Sequence, residues 1–280
     1  MINLPSTDNF KLVRMDGMVY DMRANGILVK GIVDDSPSPV HHRETIEGRS
    51  GFIDMGTTLD GRTLHADCQM EGEDFPDYPL MRDELFRALD SREAFYLIRD
   101  NELGKRLKVK YDSKFSITRL IKMGTFGIDF ISDLPFWESV GRTDSDPVDF
   151  DSEKWQSVGA GITLEDDLQY VWSQNSFRIY NGGDETVDPR FHELLIKFIG
   201  ASNGLAITNQ TTGDSFTFNQ ATGAGDEIDL NGPRVLLNGT SALSKSNRKF
   251  IRLAPGWNDI KVSGTSGAFI ISFGFRWLYL

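Results

Sequence analysis

A single cysteine, Cys68, stands in 280 residues. That excludes an internal disulfide and any zinc site built on paired cysteines. Long apolar runs are missing too. A membrane helix needs roughly 20 apolar residues, and "AFIISFGF" at 268–275 is far too short. The opening "MINLPSTDNFKLVRMDG" lacks the basic-then-apolar order of a secretory signal, so the expectation is a soluble protein made in a cytoplasm. Basic residues are few, 30 against 41 acidic, which leaves a formal net charge of -11. Both halves of the chain share the deficit, so neither is a basic module. General binding to nucleic acid or to an anionic membrane is disfavoured.

Catalytic and cofactor motifs are equally scarce. No HExxH pair, P-loop or GxSxG occurs, and "GAG" at 159–161 lacks the third glycine of a dinucleotide fingerprint. His41 and His42 are adjacent, so an extended backbone points them to opposite sides and they cannot easily share a metal. His65 and His192 belong to separate strands. Asp144, Asp146, Asp149 and Asp151 form an acidic run, but Pro147 and Val148 interrupt any EF-hand-like spacing. The expectation is therefore no enzyme, no cofactor and no metal.

What the chain does have is glycine, at 27 residues, and 19 Phe with 5 Trp. This composition suits a β-rich protein with many tight turns. In the first half, Asp16-Gly17 between apolar runs predicts a hairpin, and residues 27–33 a strand followed by the polar loop 34–39. "TLHADCQME" places Leu64, Ala66, Cys68 and Met70 on one face and polar residues on the other, the clearest strand in the chain. Residues 77–93 read as the one main helix, with Asp77 as its cap, Pro79 in the first turn, and Met81, Leu85 and Leu89 on one side. Further strands follow at 94–100, 106–112 and 126–133. One helix among antiparallel-looking strands is an α+β pattern.

Residues 133–155 are acidic and proline-bearing, with little apolar periodicity, and mark the boundary. The divisions read as 1–140, a linker at 141–155, and 156–280. The last part shows closely set short strands, turn signals at Gly182-Gly183, Gly213-Asp214, Asn231-Gly232, Asn238-Gly239 and Pro255-Gly256, and no helix. That spacing predicts a β-sandwich. Its last strand alternates Phe273, Phe275, Trp277 and Tyr279 inward, so the chain is expected to end in the core. Trp155, Trp172 and Trp257 lie near turns or the linker. They are candidates for stacking on sugar rings, or plugs at the ends of the sandwich.

The stretch "RETIEGRSGFIDMG" at 43–56 begins as a strand, breaks at Gly48-Arg49-Ser50-Gly51 and resumes at Phe52. With "ILVKGIV" before it and "TLHADCQMEG" after it, it resembles the amino-terminal module of phage distal tail (Dit) proteins, whose pattern carries a Gly-Arg-x-Gly turn. "LMRDELFRAL", "AFYLIRD", "RLKVKYD" and "GTFGIDFISDLPFWES" follow in the family's order. "YNGGDETVDPRFHELLIKFIGA", "LAITNQTTGDSF" and "LAPGWNDIKVSG" resemble the galectin-like sandwich of the same proteins.

The resemblance implies a structural virion protein of the tail tip, assembled in the bacterial host's cytoplasm. Six copies form a ring, which can pair with a second ring. The ring joins the tail tube protein to the tail-tip protein and to receptor-binding proteins, and DNA passes through without specific contact. It further implies that Gly48, Arg49, Ser50 and Gly51 bend an arm onto a neighbouring copy, against the alternative of an ordinary hairpin within one domain. The galectin sugar-binding residues are not found in their arrangement. Two other functional readings stay open at this point: a cell-wall carbohydrate-binding module or adhesin, and a wall hydrolase.

Overall fold

The computed structural model describes residues 8–72, 76–149, 152–156, 161–163 and 168–280. It divides into two compact units, Met1–Trp137 with Leu280, and Glu138–Tyr279. Within the described residues the fold is mostly antiparallel β-structure with a single α-helix.

The first unit opens with β1 (Phe10–Arg14), β2 (Val19–Asp21) and β3 (Ile27–Asp34). Next come β4 (Pro39–Glu44), β5 (Ile53–Leu59) and β6 (Arg62–Glu71), and then helix α1 (Asp77–Ala88). β7 (Phe95–Arg99), β8 (Lys105–Tyr111), β9 (Thr118–Leu120) and β10 (Met123–Ser132) complete it, and β11 (Trp137–Ser139) straddles the boundary. The sheet order is β2-β1-β7-β8-β10-β6-β3, with β9 beside β10. The β1–β2 turn forms where expected, with Gly17 at φ +87° and Asp16 accepting the Met18 amide at 2.9 Å.

The β6–β10 ladder pairs without interruption from Met123↔Glu71 to Ser132↔Arg62. Leu64, Ala66, Cys68 and Met70 of β6 are buried, as their alternation requires, with Phe126, Ile128 and Phe130 of β10. Phe130 meets the edges of Phe10 and Phe95 at 5.8 and 6.3 Å. Burial pushes the Cys68 thiol up to about 12, so it behaves as a small core hydrophobe rather than a nucleophile.

Helix α1 buries Tyr78, Leu85 and Ala88, and Leu89 follows at its C-cap. The expected cap is corrected here. Pro76 occupies the N-cap position with no side-chain hydrogen bond, and Asp77 is the first helical residue. Its carboxylate still favours the positive end of the helix dipole. Leu80 and Phe86 are exposed.

In the second unit β12 (Val171–Trp172), β13 (Ser176–Asn181), β14 (Leu194–Asn209), β15 (Asp214–Phe218) and β16 (Glu227–Asn231) come first. They precede β17 (Arg234–Leu237), β18 (Thr240–Ser241), β19 (Gly256–Phe275) and β20 (Leu278–Tyr279). The short-strand expectation needs correction, because β14 has 16 residues and β19 has 20. β14 pairs with β16 over Leu195–Ile199 and with β15 over Leu205–Asn209. β19 pairs with β13 over its first part and with β12 near Ile271. Each long strand thus serves two sets of neighbours, the economy of a β-sandwich. Register shifts at Gly200–Ser202 and Ser202–Ala206 let β14 bend without ending. Phe198, Phe216, Phe218, Phe273, Phe275 and Trp277 fill the core.

Gly141, Thr143 and Trp155 are buried within this unit. Thr143 Oγ1 donates to the Phe273 carbonyl at 2.7 Å and accepts the Phe275 amide at 3.0 Å. Gly141 lies so close to the Trp155 ring that a Cβ would fall 2.5 Å from it.

A candidate assembly interface

Among the described residues, strands β4 and β5 form a two-stranded sheet of their own, pairing with each other and with no strand of the main sheet. The register runs from Pro39↔Leu59 to Glu44↔Ile53, with one shift between His41 and Arg43. The shift coincides with Gly56, at φ +102°, whose amide donates to Asp54 Oδ1 at 2.9 Å. This is a β-bulge, and it adds twist to the ribbon. His41 Nδ1 and Thr57 Oγ1 lie 2.8 Å apart, and His42 Nε2 and Thr58 Oγ1 2.9 Å apart.

The predicted turn is the tip of this ribbon. The Arg49 amide donates to the Ile46 carbonyl at 3.1 Å, and Gly48 takes φ +80° at the third position of the turn. Gly51 follows at φ +88°. No atom lies within 4 Å of a Cβ built on either glycine, so conformation and not space demands them. Gly48, Arg49, Ser50 and Gly51 are all exposed.

No side chain of β4 or β5 is buried. Phe52 is 63 % and Met55 61 % exposed, with Val40, Ile46 and Leu59 also open. Arg43 lies over the Phe52 ring at 5.7 Å. A lone two-stranded ribbon is marginally stable in water, and its exposed apolar side chains make it a candidate interaction surface.

The base of the ribbon is held firmly, a feature that sequence reasoning missed. Asp34 ends β3 and Arg62 begins β6, so the two flank the ribbon. Asp34 Oδ2 accepts from Trp137 Nε1 at 3.1 Å and from Arg62 Nη1 at 3.4 Å, and forms an ion pair with Arg99 Nη2 at 3.0 Å. Arg62 is buried, and Arg99 also lies over the Trp137 ring at 4.7 Å. The Asp35 amide donates to Thr63 and the Asp60 amide to Ser38, closing the neck with backbone bonds.

The other candidate residues do not converge. Trp155 is buried against Trp277 at 4.9 Å and donates to the Pro147 carbonyl, so neither face is open to a sugar. Trp172 stacks on Phe177 at 5.3 Å, and Trp257 packs between Tyr180 and Arg178. Asp144 is paired with Arg142 and Asp146 with Lys154. Asp151 lies outside the described residues.

His65 and Asp129 meet on the exposed face of the β6–β10 ladder at 2.6 Å, and Ser113 donates to the same carboxylate at 3.0 Å. The hydrogen bond to Asp129 raises the His65 pKa, with Asp67 contributing less. The carboxylate, not the imidazole, holds the hydroxyl, so the trio lacks the order that activates a nucleophile.

Two family models match the chain in sequence. The phage tail protein RIFT-related domain matches residues 23–132, and the siphovirus-type tail component C-terminal domain matches residues 182–277. The chain belongs to the siphophage distal tail (Dit) hub family. The crystal structure of the Dit protein of phage SPP1, described as a paradigm of the hub adsorption apparatus in phages infecting Gram-positive bacteria, is similar in fold. It has a TM-score of 0.67 at 14 % identity, covering 97 % of this chain and 100 % of that one. The phage P2 baseplate in its activated conformation with Ca gives a TM-score of 0.46 at 9 % identity, covering 96 % and 98 %. A search of curated proteins returned no match. Dit proteins are structural components of the phage tail, and the β4–β5 ribbon falls inside the first matched region.

Proposed function

We propose that this chain is the distal tail hub of a siphophage virion, and that six copies close a ring through the β4–β5 ribbon. The ribbon of one copy lies against its neighbour, covering Phe52, Met55 and Ile46 and adding backbone hydrogen bonds to an exposed strand edge. Strand β3 stands at the edge of the main sheet and offers such an edge. A head-to-tail contact of this kind closes into a ring when the rotation fits. We read the second unit as galectin-like in shape.

The ring joins the tail tube to the tail-tip protein and receptor-binding proteins and is assembled in the host cytoplasm. Its role is structural rather than enzymatic. The net charge of -11 suits a passage through which DNA slides without adhering. The observation that carries this reading is the ribbon itself, whose apolar side chains are left exposed by the described residues of its own chain. Light scattering and negative-stain microscopy test it. The native protein should form rings, and Phe52→Asp with Met55→Asp should leave folded single copies. Rings that survive the double substitution would remove the ribbon from the contact.

A further inference from the structure

The second unit carries a cleft unrelated to the ribbon. Ile196, Leu230, Val235 and Ile251 line it, with Pro189 at one wall. The interior admits the centres of water-sized groups over about 20 Å³, room for one or two methyl groups. Leu243 is exposed and lines it together with Arg248 and Lys249. No carboxylate lines it.

The charge around the cleft is unusual for so acidic a chain. Nearby Arg190 and Arg252 are neutralised by Asp188 and Asp214. Arg248 and Lys249 form no ion pair among the described residues, and neither do Arg234, which precedes Val235, and Lys245 of the short turn at Leu243–Lys245. Their backbone is nevertheless fixed. The Arg248 amide donates to Ser246 Oγ and the Lys249 amide to Asn247 Oδ1, each at 3.1 Å, and Arg248 is held at φ +58°. A left-handed backbone is costly for a non-glycine residue. This loop therefore holds two solvated cations at an apolar opening.

We infer that this cleft docks an acidic peptide segment of another tail-tip protein, with one aliphatic side chain seated in the cleft and flanking carboxylates on Arg248 and Lys249. The small, apolar interior selects a protein side chain over a sugar ring, which needs far more room and polar partners. The cations select carboxylates and repel basic segments. The inference is independent of ring closure, because none of these residues lies in the ribbon.

The test is an array of short peptides tiling the other tail proteins of the same phage, probed with the full chain. Bound peptides should carry a Val, Ile or Leu among Asp or Glu. Affinity should fall about tenfold or more in Arg248→Glu with Lys249→Glu, two exposed positions whose replacement should leave the melting curve unchanged. Exchanging the peptide carboxylates for Lys should restore binding to that variant. Leu243→Asp, also at an exposed position, should weaken every bound peptide. The idea is overturned if no peptide binds, or if binding ignores both variants. It is equally overturned if a glycerol-phosphate wall polymer alone binds and is lost on charge reversal, since the cations then serve an anionic glycan.

Discussion

The β6–β10 ladder and the β4–β5 ribbon are both antiparallel pairs within one unit, yet they are built to opposite ends. The ladder buries every second side chain of β6 and sets Phe130 in an aromatic cluster. The ribbon buries none, although it carries Phe52, Met55 and Ile46. The ladder is stabilised by its own chain. The ribbon has cross-strand bonds, a bulge and three left-handed glycines, but no apolar burial to offset the entropy of ordering it. Under the proposed function, apolar residues serve two purposes in this unit, cohesion in one place and contact in the other.

Three changes would break or sharpen that contrast. The largest effect is expected from truncating an aromatic side chain in each pair. Phe130→Ala should cost ~3–5 kcal/mol of unfolding free energy by chemical denaturation. Phe52→Ala in the isolated copy should stay within about 0.5 kcal/mol. Equal costs would mean that the ribbon is supported by its own unit after all.

A smaller effect is expected at the neck. Asp34→Ala leaves the buried Arg62 and the nearly buried Arg99 without their shared carboxylate. Because Asp34 itself is partly solvated, the expected loss is about 2 kcal/mol, together with faster amide exchange across residues 39–59. Unchanged exchange there would show that the backbone bonds alone hold the neck.

The smallest effect concerns the pair on the ladder's exposed face. The hydrogen bond to Asp129 raises the His65 pKa, and the same bond lowers that of Asp129. The His65 contribution is present below its unfolded pKa and lost as pH rises through the raised folded value. The Asp129 contribution is present above its unfolded pKa and lost as pH falls through the lowered one. Both side chains are about half exposed, so their pairing contributes under ~1 kcal/mol between those limits. In Asp129→Asn, the NMR titration midpoint of His65 should fall; a stationary midpoint would assign the shift to Asp67 instead.

Much of the fold can be read from local pattern. The alternation of Leu64, Ala66, Cys68 and Met70 is visible because a half-buried strand has a period of two. The helix is visible from its apolar spacing, but its first residue is not, because Asp77 suits a cap and a first turn equally well. The two long strands are hidden by Gly200, Gly204, Gly264 and Gly267. Glycine signals a turn in sequence, whereas here it permits bends within continuous pairing. The Gly48–Gly51 turn is legible for a different reason, since its glycines are needed by conformation alone. What cannot be read is that the described residues leave the ribbon beyond it exposed. The Asp34–Arg62–Arg99–Trp137 cluster is likewise invisible, because it joins the ends of four separate elements.

Hydrogen exchange on the assembled particle tests the role of the ribbon most directly. Backbone amides of residues 39–59 should be strongly protected in the ring and exchange quickly in single copies carrying Phe52→Asp and Met55→Asp. Rapid exchange of the same amides within intact rings would contradict a ring closed by this ribbon.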